Sequence, residues 1–104
     1  MNYTENYRGI KIDVQSPHME VSEVVQIELR SCIDKLTRFA DDINEVDVYI
    51  NKEGHGGAIT TNMGMRVGLP GPDIYAAEDG DNWTGMLKAV TDKNIRQIQK
   101  LKQQ

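Results

Sequence analysis

The sequence predicts a single α+β domain with its elements in the order β-α-β-β-β-α. Three observations lead to this prediction. Short segments alternate apolar and polar residues with the period of two that is typical of half-buried strands. Two longer segments carry apolar residues at three- and four-residue steps, as amphipathic helices do. Turns rich in Gly and Pro separate the later strand segments, so we expect these strands to form a meander of hairpins.

The first predicted strand and the first predicted helix lie within the first 40 residues. The segment IKIDVQS places Ile10, Ile12 and Val14 on one side, and the proline that follows ends the strand. Ser22 is a suitable N-cap for a helix over about residues 22–40, because its side chain can accept a hydrogen bond from the first turn. The apolar stripe of this helix comprises Val25, Leu29, Cys32, Ile33, Leu36, Phe39 and Ala40.

Three strands and a second helix follow. The segment VDVYIN, a longer strand from Ile59 to Leu69, and DIYAA are joined by the turns GHGG and PGP. Asp81 is a candidate N-cap for a helix over about residues 82–102. Since every strand has one apolar side, we expect a four-stranded sheet with both helices on one face and solvent on the other. The apolar face of the second helix comprises Trp83, Leu87, Val90, Ile98 and Leu101, with Ile95 at its edge.

Length and cysteine content limit the class of protein. With 104 residues the chain has room for one domain, which we assign to residues 1–104, with a core over about 10–102 and an N-terminal extension over 1–9. Cys32 is the sole cysteine, so no internal disulfide can form, and a cytoplasmic location is expected. The first ten residues lack the basic and apolar regions typical of a signal peptide, so none is expected there, and no apolar run reaches membrane-spanning length.

The charges are sorted along the chain. The formal net charge is -4, yet residues 82–104 hold five bases and one acid. At about 100° per residue, Lys93, Arg96 and Lys100 fall within about 60° of one another on the second helix. This basic face lies away from the apolar stripe of the same helix.

Bases of the first helix also lie off its apolar stripe. Lys35 and Arg38 point away from the core face, and Arg30 lies further round the helix. Charges that keep two helices solvated are the ordinary explanation of this pattern. Two basic helix faces on one side of a sheet fit a second explanation, a surface for RNA phosphates. Periodicity alone leaves both explanations open.

Several short stretches, in order over about residues 10–102, carry a family resemblance. They are VSE at the start of the first helix, DKL followed by a basic residue and Phe39, INEVDVYINKE, and DIYAAEDGD. Asp92-Lys93 with Arg96-Gln97 matches a D-K-x-x-R-Q signature. On these stretches the chain resembles the family of ribosome hibernation-promoting factors and ribosome-associated inhibitor Y, also called sigma-54 modulation proteins. It is most similar to the short form of that family.

The resemblance implies a fold like that of double-stranded RNA-binding domains. It also implies a translation inhibitor that binds the small ribosomal subunit and its rRNA in the channel of tRNA and mRNA, in stationary phase or under stress. Inhibition would be steric occlusion, without a catalytic residue, cofactor, metal or small-molecule substrate. A second hibernation factor stays open as a further partner. The rRNA-binding candidates, carried over by position, are Lys35, Arg38, Lys93, Arg96 and Lys100, with Arg30 as an additional candidate.

Two alternatives to ribosome binding stay open. The chain departs from the family pattern at Asn82, Thr84 and Asn94, so a diverged member of the same fold could act as a protein–protein interaction module. A small enzyme is the other alternative. The sequence offers no nucleophile, base and orienting group in a recognisable arrangement for it, and Cys32 lies on an apolar stripe. We therefore do not expect an enzyme.

Overall fold

A computed structural model describes residues 2–17, 20–55 and 57–102 as one five-stranded sheet with two helices. The predicted α+β class and the order β-α-β-β-β-α are confirmed, with one further strand at the start. The elements are β1 (Asn2–Tyr7), β2 (Ile10–Gln15), α1 (Glu23–Thr37), β3 (Glu45–His55), β4 (Ala58–Gly68), β5 (Ile74–Gly80) and α2 (Trp83–Lys102).

The prediction of four strands is wrong, because β1 adds a fifth strand within the predicted N-terminal extension. Residues of β1 alternate between exposed and half-buried, as at the edge of a sheet. Arg8 and Gly9 both have positive φ, 55° and 77°, which is the backbone geometry of a two-residue type I′ hairpin turn. This turn pairs β1 antiparallel with β2, with Tyr7 opposite Ile10.

The strands lie in the order β1-β2-β3-β4-β5. The pair β2–β3 is parallel, and α1 is the crossover between these two strands. The pairs β3–β4 and β4–β5 are antiparallel, as the predicted meander requires. The basic C-terminal helix packs against β5 and β4 and, along its side, against α1.

The hydrophobic core lies between one face of the sheet and the two helices. The predicted stripes are confirmed by burial of Val25, Leu29, Ile33, Leu36, Val90 and Ile98. Leu101 departs from the predicted face, since its side chain is 41% exposed. It lies in the last turn of α2, beside a shallow hollow lined by Ala40 and Leu69 rather than under the sheet. Neither helix in the described part of the chain is long and apolar enough to cross a membrane.

The helix starts differ in how well the sequence predicts them. Ser22 is the N-cap of α1, and its hydroxyl accepts a hydrogen bond from Val25 N at 3.4 Å. The predicted N-cap of α2 is wrong by one residue, because Asn82 occupies that position instead of Asp81. Asn82 Oδ1 accepts from Gly85 N at 3.2 Å, which satisfies a backbone donor of the first turn.

The outer face of the sheet is polar, as predicted. Asp13, Asp47, Arg66 and Tyr75 form one row across β2, β3, β4 and β5. The Arg66 guanidinium donates to Asp47 and to Asp73, and its Nη2 lies 2.9 Å from Oε1 of the β3 residue Glu45. The base on this part of the face is therefore already surrounded by carboxylates.

Candidate nucleic-acid interface

Arg96 and Lys100 are the two predicted site residues of α2 that the fold leaves free. They lie one turn apart, and both are exposed. Among the described residues neither of them forms an ion pair, whereas Lys93 of the same face does. A guanidinium and an ammonium group one turn apart can contact successive phosphates of a nucleic-acid backbone.

Lys93 holds α2 against the edge of the sheet. Its Nζ donates to Ala77 O at 2.9 Å and lies 2.8 Å from Glu78 Oε2. The ammonium group also lowers the pKa of the Glu78 carboxyl, because it favours the ionised form. Lys93 therefore connects α2 to β5 by a hydrogen bond and an ion pair, and it would have to give up these contacts to bind a phosphate.

Most residues of the signature Asp92-Lys93 with Arg96-Gln97 bond to other elements of this chain. Asp92 Oδ1 accepts from Lys35 Nζ at 2.7 Å, and Gln97 Nε2 donates to Tyr75 O at 2.7 Å. With Lys93 also engaged, three of the four signature residues connect α2 to neighbouring elements. Arg96 is the one that points outward.

Asn94, a departure from the family pattern, has a structural partner. The side chain is fully buried, and its Nδ2 donates to Met65 O of β4 at 3.1 Å. Burial of an amide is tolerated when it is hydrogen-bonded. A polar residue on the apolar side of a predicted helix indicates such a buried hydrogen bond. The sequence does not show which atom accepts it.

Arg30 forms an ion pair with Glu5 of β1. Its Nε lies 2.8 Å from Glu5 Oε2, and the Tyr3 hydroxyl donates to Glu5 Oε1 at 2.7 Å. These bonds lower the pKa of Glu5 to about 2, chiefly through the Arg30 hydrogen bond. The pKa of the Arg30 guanidinium is raised by the same bond. Arg30 thus faces the added strand, which the sequence-based prediction did not contain.

Lys35 lies in the groove between α1 and α2, where it pairs with Asp92. Both side chains are about half exposed, so the pair is open to water and its net contribution to stability is small. The groove encloses about 260 Å³. Its lining comprises Glu28, Ser31, Cys32, Lys35, Lys88, Thr91 and Asp92.

Lys88 is a base of this groove that the sequence-based prediction omitted. It is exposed, and it lies one turn before Asp92 on the groove side of α2. Helical periodicity alone could have located Lys88 on α2. It was omitted because it lies outside the 60° sector that Lys93, Arg96 and Lys100 share. Cys32 at the floor of the groove is buried, and burial raises the pKa of its thiol, so it remains protonated.

Arg38 of α1 is a further cation that forms no ion pair among the described residues. It is the C-cap residue of α1, where a positive charge is favoured by the helix dipole, and it is exposed. The two helices run side by side in the same direction, since Cys32 contacts Leu87 and Lys35 contacts Asp92 further along. We call Arg38, Lys88, Arg96 and Lys100 the cationic surface.

Together these features define an α+β domain with a cationic surface on two helices that cover one face of a sheet. Residues 12–104 match the family described as sigma 54 modulation protein / S30EA ribosomal protein. The chain belongs to this family, and the resemblance noted from the sequence is confirmed. Residues of β1, Asn2–Tyr7, precede the matched segment.

Individual relatives agree with this assignment. A protein of Acinetobacter guillouiae named ribosome hibernation promoting factor is 22% identical over 97 residues, covering 88% of this chain and 86% of that protein. A ribosomal subunit interface protein from Coxiella burnetii is similar in structure, with a TM-score of 0.69, 18% identity, and coverage of 91% of this chain and 98% of that one. The N-terminal domain of Thermus thermophilus Protein Y gives a TM-score of 0.63 at 15% identity, covering 93% and 99%. At these identities the two structures show the shared fold.

Proposed function

We propose that this protein binds the small ribosomal subunit through rRNA phosphates and keeps ribosomes inactive, as a cytoplasmic hibernation factor. The observation that carries the proposal is the free cationic pair Arg96 and Lys100 on α2, with Arg38 at the end of α1. Family membership and the name of the Acinetobacter guillouiae relative support it.

Charge distribution supports a localised contact rather than a diffuse one. The whole chain carries a formal charge of -4 and is repelled by RNA at long range, whereas the α2 segment is basic. On the outer face of the sheet, Arg66 is surrounded by Asp47, Asp73 and Glu45. This separation orients the protein, because phosphates attract the helix side and repel the sheet side.

The proposed mechanism is occlusion of the channel that tRNA and mRNA occupy. Phosphate contacts suit this task, since they position a protein on RNA without requiring a particular base sequence. No bond is made or broken in this mechanism, so the protein acts as a binding factor and not as an enzyme. The Lys35–Asp92 pair could open to expose Lys35 when a phosphate competes for its ammonium group.

A second candidate function is binding to a protein partner. Val24 and Ile27 on the outward side of α1 are 67% and 56% exposed. Neighbouring apolar side chains in water are typical of protein contacts and contribute nothing to phosphate binding. A protein partner would contact the start of α1, whereas rRNA would contact α2 and the end of α1.

Co-sedimentation with purified small subunits at increasing salt concentration tests the proposed function. With roughly three to five phosphate contacts, the slope of log affinity against log salt should be about -2 to -5, because each contact releases condensed counterions. A flat response would favour the protein-partner alternative. Bound tRNA and mRNA should compete with the protein, and simultaneous binding of all three would contradict the occlusion mechanism.

A further inference from the structure

The two edges of the sheet are protected to different degrees. At the β5 edge, Lys93 donates to Ala77 O and Gln97 donates to Tyr75 O, so side chains of α2 occupy backbone carbonyls. The β1 edge has no such cover in the described part of the chain, and its sequence NYTENY contains no Lys or Pro. Natural proteins use those residues to prevent pairing with another strand.

The hairpin turn determines which backbone groups of β1 are unpaired. In a two-residue hairpin the flanking residues, here Tyr7 and Ile10, exchange both hydrogen bonds. Bonding then alternates, so Tyr3, Glu5 and Tyr7 bond to β2. The N–H and C=O groups of Asn2, Thr4 and Asn6 point to the free edge of the sheet.

We propose that β1 pairs antiparallel with β1 of a second copy of this chain, with Thr4 opposite Thr4 across a two-fold axis. Asn2 of each copy then lies opposite Asn6 of the other, and three residue pairs can exchange about six backbone hydrogen bonds. Two five-stranded sheets become one continuous ten-stranded sheet. This inference is independent of the proposed ribosome binding.

The side chains of β1 are compatible with this register. Glu5 is the sole charged residue of the strand, and it is directed to the helix side, where Arg30 neutralises it. In the proposed register it faces Tyr3 of the second copy, so no like charges lie opposite each other. Thr4 faces Thr4, a cross-strand pair that stabilises antiparallel sheets.

The rest of the fold leaves room for the pairing. The cationic residues Arg96 and Lys100 belong to α2, which packs on β5 and β4 at the far side of the sheet. A dimer through β1 therefore leaves Arg96 and Lys100 of both copies open, one pair at each end. Loss of dimerisation and loss of RNA binding are thus separate outcomes that different variants should produce.

Disulfide trapping tests the pairing and its register together. In the proposed dimer the two Thr4 Cα atoms lie about 5.5 Å apart, which a disulfide can bridge, so Thr4→Cys should cross-link under mild oxidation. The matched control is Asn6→Cys, whose two copies would lie about 14 Å apart and should not cross-link. The native Cys32 is buried, so the unchanged protein gives the background. Equal cross-linking of both variants would overturn the register, and no cross-linking of either would overturn the pairing.

Sedimentation velocity over a concentration series tests the same pairing without a new cysteine. The unchanged protein and Thr4→Val should dimerise as concentration rises, since both retain the backbone groups at the edge. Thr4→Pro should remain monomeric with an unchanged circular dichroism spectrum, because the lost N–H belongs to the free edge. Thr4→Lys serves the same purpose if the proline variant does not fold. A monomeric unchanged protein, or a dimer that survives the folded Pro or Lys variant, would overturn the proposal.

Discussion

The Arg30 guanidinium of α1 lies against the Glu5 carboxylate of β1, with Arg30 Nε 2.8 Å from Glu5 Oε2. A second contact runs in parallel, from the Tyr7 hydroxyl to Asp34 Oδ1 at 3.0 Å. Together they attach a strand that precedes the family-matched segment to the first helix. Arg30, an additional rRNA-binding candidate in the sequence analysis, therefore holds the edge strand β1 against α1.

The first prediction concerns the pH dependence of folding stability. Glu5 has its pKa lowered from 4.5 to about 2 in the folded protein. The unfolded chain therefore binds more protons in this range, so the free energy of unfolding should fall as pH decreases from about 4.5 to 2. Glu5→Gln should remove part of this slope, and urea titrations between pH 2 and 7 measure it. Glu20→Gln, at an exposed position outside the sheet, is the control, and an equal change in both variants would contradict the role of Glu5.

Apolar periodicity explains what the sequence could predict. It located β2, both helices and the meander, because aliphatic residues such as Ile12, Val48 and Leu29 alternate with polar ones at the correct period. It missed β1, whose inward residues form polar contacts instead of an aliphatic stripe: Tyr3 donates to Glu5, and Glu5 accepts from Arg30 of α1. A strand held by hydroxyls and an ion pair gives no hydrophobic signal.

Partners of the basic residues required the tertiary structure. Helical spacing places Lys93 and Arg96 on one face, but it does not show that Ala77 O and Glu78 lie beside Lys93 and not beside Arg96. The distinction depends on where the edge strand β5 lies relative to α2. The sequence predicts the basic helix face. The fold distinguishes Lys93, which bonds to β5, from Arg96 and Lys100, which form no ion pair among the described residues.

The second prediction separates those two roles by stability. Lys93→Met removes the donor to Ala77 O and the partner of Glu78, and it should lower the free energy of unfolding by about 0.5–1.5 kcal/mol. Arg96→Met, one turn further along and free of such contacts, should change it by less than about 0.5 kcal/mol. Denaturant titration of both variants measures the difference. Equal stabilities would show that the Lys93 contacts contribute nothing to folding.

The third prediction concerns the buried amide of α2. Asn94→Ala leaves Met65 O without its side-chain donor in the core and should destabilise the fold by about 1–3 kcal/mol. Asn82→Ala, at the exposed N-cap of the same helix, should cost about 1 kcal/mol by a separate mechanism. Thermal unfolding of both variants gives the comparison. A neutral Asn94→Ala would mean that the bond to Met65 O is not required.

The fourth prediction assigns ribosome binding to the free cations. Arg96→Glu with Lys100→Glu should leave the fold intact, because both side chains are exposed and neither has an ion-pair partner in the described structure. Each reversal replaces attraction to phosphate by repulsion on an acidic body, so the double variant should bind small subunits at least about tenfold more weakly, or about 1.4 kcal/mol.

The control for this variant is a charge reversal on the opposite side of the sheet. Lys11→Glu alters the net charge as much as Arg96→Glu alone, but its side chain is exposed on the outer face of β2. If net charge alone governs association, these two single variants should weaken binding equally in co-sedimentation. If the cationic surface makes the contact, Arg96→Glu should weaken binding and Lys11→Glu should not. Wild-type association of the folded double variant Arg96→Glu, Lys100→Glu would remove the basis for placing rRNA on α2, and the exposed Val24 and Ile27 would then favour a protein partner at α1.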